Sequence, residues 1–257
     1  MMKIKALLLA FLLGVSSLAK ETIVVGVTPA PFDAIMEFAR PFIEKRGYEL
    51  KIVEFTDYAV PNVALNEGKL DANLFQHKPY LDEFNHSKNT NLIATTSVAI
   101  FPMGVYSKRI KTLSELKDNS LVTVPNDPTN ENRALEILEQ AGLIELSKSK
   151  GFKSPKDIIN NPKKLKFKEL KAAQLPRSLD DADLAVINTN YALDYGLNPM
   201  KDAIFLEKKD SPYANFVVVR QQDKESAKTK LLHEALRTKE LREFILKKYE
   251  GSVIPTW

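Results

Sequence analysis

The sequence predicts an α/β protein built on mostly parallel strands joined by helical crossovers. Three observations predict it. Short β-rich runs alternate with helical patterns from Thr22 to Phe75, a second series of the same kind begins after Leu92, and no low-complexity linker or fixed-period repeat separates the two. The pattern alone leaves two architectures open: one doubly wound domain, or two lobes that share the chain.

The elements follow in order. Thr22–Val27 (TIVVGV) is apolar throughout, as a strand buried on both faces would be. Pro31 can open a helix in which Ile35, Phe38, Ala39, Phe42 and Ile43 fall on one face, and Gly47 suits the turn after it. Leu50–Phe55 is the next strand, Pro61–Glu67 a short helix and Ala72–Phe75 a third strand. The second series has strands at Leu92–Ala99 and Met103–Ser107, and Thr112 with Glu115 makes a capping box for a helix. Leu121–Val124 is a strand, Thr129–Ala141 a helix ended by Gly142, and Leu165–Glu169, Leu184–Ile187 and Ile204–Leu206 are further strands. Phe216–Val219 is the last strong strand, and helical stretches at Lys224–Arg237 and Lys239–Tyr249 close the chain. In a two-lobed reading, Phe101–Ser107 and Ala214–Arg220 carry the chain across and back.

The first nineteen residues read as a secretory signal peptide. Lys3 and Lys5 precede an apolar run from Ala6 to Val15, and Ser17-Leu18-Ala19 is a small-x-small end. That run is shorter than the roughly 20 residues that span a bilayer. Cleavage after Ala19 is expected to release a protein beginning at Lys20 into a periplasm. The sequence has no cysteine, so no thiol is present for a disulfide, a thiolate metal site or a lipid anchor. Loss of Lys3 and Lys5 lowers the formal charge of +4 by two, and the interspersed signs that remain give no reason to expect a nucleic-acid partner.

Ligands of open α/β sheets bind outside the carboxyl ends of the strands. Here those ends lie near Thr28, Phe55, Phe75, Pro125 and Asn188. Tyr58, Phe75, His77 and Tyr80 cluster just past two of them, and flat rings with polar tips suit an apolar, polarisable guest such as a thioether. The alternative for each ring is ordinary packing between elements. Asn126–Arg133 leads from a strand into a helix, whose free N–H groups favour an anion, and Arg133 adds a fork for a carboxylate. A lone Arg paired with a nearby acid is the competing reading; the ligand reading expects Arg133 to serve the ligand and not the core. Asn190 follows a strand and Asn215 precedes one, so each can place an amide at a cleft or cap a turn.

Catalytic signatures are lacking. The sequence has no H-E-x-x-H, no Gly-rich phosphate loop and no G-x-S-x-G. His86 and His233 sit in polar helical contexts, and Asp180, Asp181 and Asp183 read as a hydrated helix end. No enzyme, metal or cofactor is expected.

Long runs in a fixed order resemble one family. EFTDYAVPNVAL (Glu54–Leu65), DANLFQHKPYLDEFN (Asp71–Asn85), PMGVYSK (Pro102–Lys108), VPNDPTNENRAL (Val124–Leu135), AAQLPRSLDDADLAVINTNYAL (Ala172–Leu193) and DSPYANFVVVR (Asp210–Arg220) are similar to the methionine-binding proteins of bacterial ABC importers, the NlpA lipoprotein family. The resemblance implies a two-lobed, type II-like periplasmic binding protein with a ligand cleft between the lobes and two crossing segments. It implies lobe boundaries at 20–102 plus 216–257 and at 103–215. It also implies an aromatic cage of Tyr58, Phe75, His77 and Tyr80, a carboxylate-binding Arg133, and ligand-binding Asn190 and Asn215. The implied ligand is methionine, L-methionine first. The implied partner is an inner-membrane permease–ATPase complex, served by a monomer. D-methionine, another amino acid, a methionine-containing dipeptide or an adhesive surface role are the other readings. Two departures stand out. Ala30-Pro31-Phe32 replaces the Gly-Pro-His of many members and is expected at the cleft mouth, and Asn132 stands where many have Gly before the arginine.

Overall fold

The structure, a computed structural model, describes residues 20–208 and 211–257. The expected leader, 1–19, lies outside the described residues. Two sheets form two lobes. The first orders its strands β13-β4-β12-β3-β1-β2, and the second β11-β5-β10-β6-β9. The first contains β1 (Glu21–Val27), β2 (Tyr48–Glu54), β3 (Ala72–His77), β4 (Ile93–Ile100), β12 (Ala214–Val219) and β13 (Ile254–Pro255). The second contains β5 (Gly104–Tyr106), β6 (Leu121–Pro125), β9 (Lys166–Leu170), β10 (Leu184–Ile187) and β11 (Phe205–Leu206). Two short strands, β7 (Glu145–Leu146) and β8 (Ile158–Asn160), pair separately.

Each sheet is half parallel. β1 runs parallel to β2 and β3, and β6 parallel to β9 and β10. The remaining pairs are antiparallel: β12 against β3 and β4, β13 against β4, and β5 against β10 and β11. This differs from the expected mostly parallel sheet, and the cause is the crossing. A strand that arrives from the other lobe enters its sheet from the opposite end. The chain crosses at Phe101–Met103, between β4 and β5, and returns between β11 and β12. The return ends two residues before the expected boundary at 215, because Ala214 and Asn215 already pair with Ile100 and Ala99 in the first sheet.

The crossover helices are α1 (Phe32–Glu44), α2 (Pro61–Asn66), α3 (Lys78–Lys88) and α4 (Pro128–Gln140). Short helices follow at α5 (Leu175–Ser178), α6 (Thr189–Asp194) and α7 (Pro199–Asp202), then α8 (Ala227–Ala235) and α9 (Lys239–Tyr249). Each lobe has its own core. Phe32, Ile35, Met36, Ala39 and Ile43 form the buried face of α1 and pack with Ile23, Val25, Val217 and Ile245. Leu135, Ile137 and Leu138 of α4 pack with Val122, Val124, Leu184 and Val186. The capping box at Thr112–Glu115 forms, but the helix stops after one 3-10 turn. Leu116 turns extended there and is buried in the second core, and that burial outweighs continued helix. No described helix is long and apolar enough to cross a membrane.

Ile35 is fully buried at the centre of the α1 face. Ile35→Ala is expected to lose about 2–5 kcal/mol of stability, the usual range for emptying such a site. Urea unfolding measures it, and a loss under about 1 kcal/mol would mean that α1 is not packed in this way.

Candidate functional site

The carboxyl ends of β1, β2, β3, β6 and β10 converge between the lobes on a narrow cavity. Tyr58, Phe75, His77, Tyr80, Arg133, Asn190 and Asn215 all line it. So do Phe32, Gln76, Phe101, Asn130, Asn188 and Thr189, which were not among the expected site residues.

One wall is aromatic. Tyr58 lies 5.8 Å from Phe75 and 5.9 Å from Tyr80, centroid to centroid, and Phe75 lies 5.8 Å from Tyr80 at 78°. The Tyr80 hydroxyl donates to the Tyr58 carbonyl at 2.9 Å, which locks the two rings together. Burial pushes both phenols well above their ordinary range, so both stay neutral. A second ring pair, Phe32 and Phe101, packs at 4.7 Å. Phe32 is 1% exposed, so it is an inner ring of the cavity and not a mouth residue as expected. It opens α1, and its distance in sequence from Phe101 hides the pairing.

His77 ends β3 and caps α3. Its Nδ1 accepts the Tyr80 N–H at 3.2 Å, so its Nε2 carries the proton and donates to Asn130 Oδ1 at 3.1 Å. Burial, then the nearby Arg133 charge, pushes its pKa down to about 3. His77 is therefore a neutral polar wedge between lobes as well as a ring lining the cavity.

The opening of α4 is not a free anion site. Asp127 fills it: its carboxylate accepts the Asn130 N–H at 3.0 Å, the Asn130 amide NH₂ at 3.0 Å and the Thr129 hydroxyl at 3.1 Å. Arg133 lies in the second turn of α4, past the free N–H groups. Its Nε donates to Glu207 Oε1 at 2.9 Å, and its Nη2 to Glu207 Oε2 at 2.5 Å and to the Phe101 carbonyl at 2.9 Å. The Tyr213 ring covers the guanidinium at 4.2 Å. Glu207 also accepts the Met103 N–H at 3.1 Å. One edge of the expected ligand fork is thus committed to a buried acid, and Nη1 is the nitrogen without a protein partner among the described residues. Arg133 serves the fold as well as the cavity, which corrects the expectation that it serves the ligand alone. Asn132 holds the Lys153 N–H at 2.8 Å and bonds Glu136, within ordinary helix.

The amides are also oriented. Tyr58 donates across the cleft to Asn190 Oδ1 at 2.6 Å, so the free group of Asn190 is its buried Nδ2, a donor. Asn215 gives its Nδ2 to the Phe75 carbonyl at 3.2 Å and keeps Oδ1 as its acceptor. Asn188 donates Nδ2 to Asn130 Oδ1 at 2.8 Å, and its buried Oδ1 has no partner among the described residues. Behind the ring wall, Asn62, Asn73 and Gln76 bond one another at 2.6–2.9 Å and tie α2 to β3. Nothing in the cavity pairs a nucleophile with a base, and no described group of residues has the make-up of a metal site.

A lobed α/β protein with a polar cavity of this kind matches known proteins over nearly its full length. Residues 23–257 fit the family model described as NlpA lipoprotein. The chain belongs to the NlpA lipoprotein family. It is 46% identical over 241 residues to a protein named D-methionine-binding lipoprotein MetQ of Salmonella typhimurium, covering 93% of this chain and 88% of that one. Among solved structures, a nutrient binding protein from Burkholderia cenocepacia bound to methionine is 45% identical with a TM-score of 0.89, covering 91% of this chain and 100% of that one. The methionine binding protein MetQ is 44% identical, also with a TM-score of 0.89, covering 92% and 98%. The NlpA family fold is that of a two-lobed substrate-binding protein, and this chain shares it.

Two predictions follow from the buried polar groups. Arg133→Ala strands the Glu207 carboxylate at 7% exposure. Stability should fall by about 3–5 kcal/mol. Adding Glu207→Gln, which keeps an oxygen for the Met103 N–H and removes the charge, should recover part of that loss. Urea unfolding of both variants tests this; an Arg133→Ala protein as stable as the parent would show that the pair contributes nothing.

The second concerns pH. His77 titrates near 3 when folded against an ordinary 6.5. Its contribution is complete above pH 6.5 and is lost as pH falls towards 3, because the unfolded chain takes up the proton first. Glu131, raised to about 7 by burial and by neighbouring Glu169, acts with the opposite sign between pH 4.5 and 7. The comparison with His77→Gln isolates the histidine. Between pH 7 and pH 5 the parent should lose about 2 kcal/mol more stability than the variant. Parallel stability curves for the two would rule this out.

Proposed function

We propose that this protein captures methionine between its lobes and delivers it to an ABC importer in the cytoplasmic membrane, without chemical change. The observation that carries the reading is the composition of one cavity. It offers a guanidinium nitrogen and an amide donor, Arg133 Nη1 and Asn190 Nδ2, beside an amide acceptor, Asn215 Oδ1, and it faces them with neutral rings. Donors suit a carboxylate, acceptors suit an ammonium, and rings suit an apolar side chain; together they describe a zwitterionic amino acid. Sulfur–aromatic contacts with Tyr58, Phe75 and Tyr80 favour a thioether over a plain aliphatic chain. The named relatives and the methionine-bound neighbour support the same ligand.

Contact with both lobes makes the ligand a bridge, so it stabilises the closed form. An importer that recognises that form receives loaded protein in preference to empty protein. The expected leader, residues 1–19, supports a periplasmic location for a mature protein with one lobe at 20–102 plus 216–257 and the other at 103–215, the return boundary lying nearer 213.

The test is calorimetry on protein unfolded and refolded to strip bound ligand, titrated with both methionine enantiomers and with leucine. Methionine should bind with one-to-one stoichiometry and more tightly than leucine. Burying a methionine-sized side chain is worth roughly 1.5–3 kcal/mol. Phe75→Ala and Tyr80→Ala should therefore each weaken binding by about tenfold to a hundredfold. No heat with either enantiomer, or unaltered affinity in both variants, would falsify the reading.

A further inference from the structure

Building on that amino-acid reading, we propose that Asn188 is a specificity-determining residue whose side-chain oxygen receives the ligand's ammonium. The cavity would then select amino acids over otherwise identical hydroxy acids. Asn188 is the N-cap residue of α6, at the carboxyl end of β10, and it lines the cavity at 7% exposure. Its Oδ1 is buried and has no partner among the described residues. An unpartnered buried acceptor is costly unless something arrives to use it.

The orientation of this amide is set by a chain of groups with fixed polarity. Asp127 is the first. An ionised carboxylate only accepts, and it faces the Asn130 amide NH₂ through both oxygens, at 3.0 Å each. Asn130 must therefore turn its oxygen the other way. His77 fixes the same orientation independently: Nδ1 accepts a backbone N–H, so Nε2 donates, and Asn130 must offer it an oxygen. That oxygen receives Asn188 Nδ2 at 2.8 Å. Asn188 then has its oxygen left over. A flipped Asn188 would set two oxygens against each other. Asp127 makes no ion pair among the described residues, so its half-buried negative charge is left to favour a cation placed beyond the two amides.

The experiment compares two ligands that share a carboxylate and a thioether: methionine, and its hydroxy acid analogue with a hydroxyl in place of the ammonium. The parent should prefer methionine. Asn188→Leu, which keeps the volume and removes the acceptor, should reduce that preference by roughly tenfold to a hundredfold, since a hydrogen bond to a charged group is lost. Most of the change should fall on methionine. Asn188→Asp keeps an acceptor but sets a carboxylate oxygen against Asn130 Oδ1, so it should melt lower and bind both compounds more weakly, while the ratio in favour of methionine is kept or raised. Thermal melts confirm that each variant is folded. A preference in Asn188→Leu within about threefold of the parent overturns the assignment. So does an Asn188→Asp protein that loses methionine but still binds the hydroxy acid. A parent that binds neither compound overturns the methionine reading first, and is told apart from these outcomes by the parent titration alone.

Discussion

The ion pair between Arg133 and Glu207 holds together everything that the cavity depends on. Arg133 stands on α4 of the second lobe. Its guanidinium reaches the Phe101 carbonyl in the first crossing segment and the Glu207 carboxylate at the start of the second. Glu207 in turn grips Met103, so both crossings are fastened to one cation. The pair is dry, and its bidentate geometry and added backbone partners are the conditions under which such a pair offsets its desolvation. Because two of the guanidinium nitrogens are fixed, the third is fixed as well, in position and direction.

The rest of the cavity repeats this economy with neutral groups. Every amide in it has one end anchored: Asn190 by Tyr58, Asn215 by the β3 backbone, and Asn188 and Asn130 by the string that begins at Asp127. An amide anchored at one end is no longer ambiguous at the other. The histidine obeys the same rule, and burial keeps it uncharged. A ligand therefore meets groups whose donor or acceptor character is already decided, and less ordering remains to be done on binding.

Much of this was legible in the sequence, and the limit of legibility is physical. The runs TIVVGV and LAVI read as strands because they are buried on both faces, and the strand ends then pointed to the ring cluster and to Asn188. The seven expected residues share one cavity because a sheet brings its carboxyl ends together whatever the spacing in sequence. The partner of Arg133 was not legible. Glu207 is 74 positions away, on a crossing segment with no periodicity to mark it. The role of Asp127 was hidden for a different reason: a helix opening looks like an anion site from the sequence, and an acid at the N-cap fills that site itself. The antiparallel halves of the sheets were missed because direction depends on which lobe a strand comes from.

Besides an exposed ion pair of Lys201 with Glu250 at 3.4 Å and the packing of Tyr58 on Tyr191, hydrogen bonds between the lobes sit around the cavity. Tyr58 bonds Asn190, His77 bonds Asn130, and the Thr189 hydroxyl bonds the Pro102 carbonyl. Each pairs a neutral donor with a neutral acceptor, the class of hydrogen bond that contributes least once exchange with water is counted. Separation of the lobes exposes groups that water can satisfy, so these contacts alone give closure little advantage. In the proposed complex a zwitterion would add charge-assisted bonds to both sides of the same gap, and such bonds are about twice as strong. Under the proposed function, that difference between weak native contacts and strong ligand contacts across one cleft would let occupancy, and not the fold, determine whether the lobes stay together.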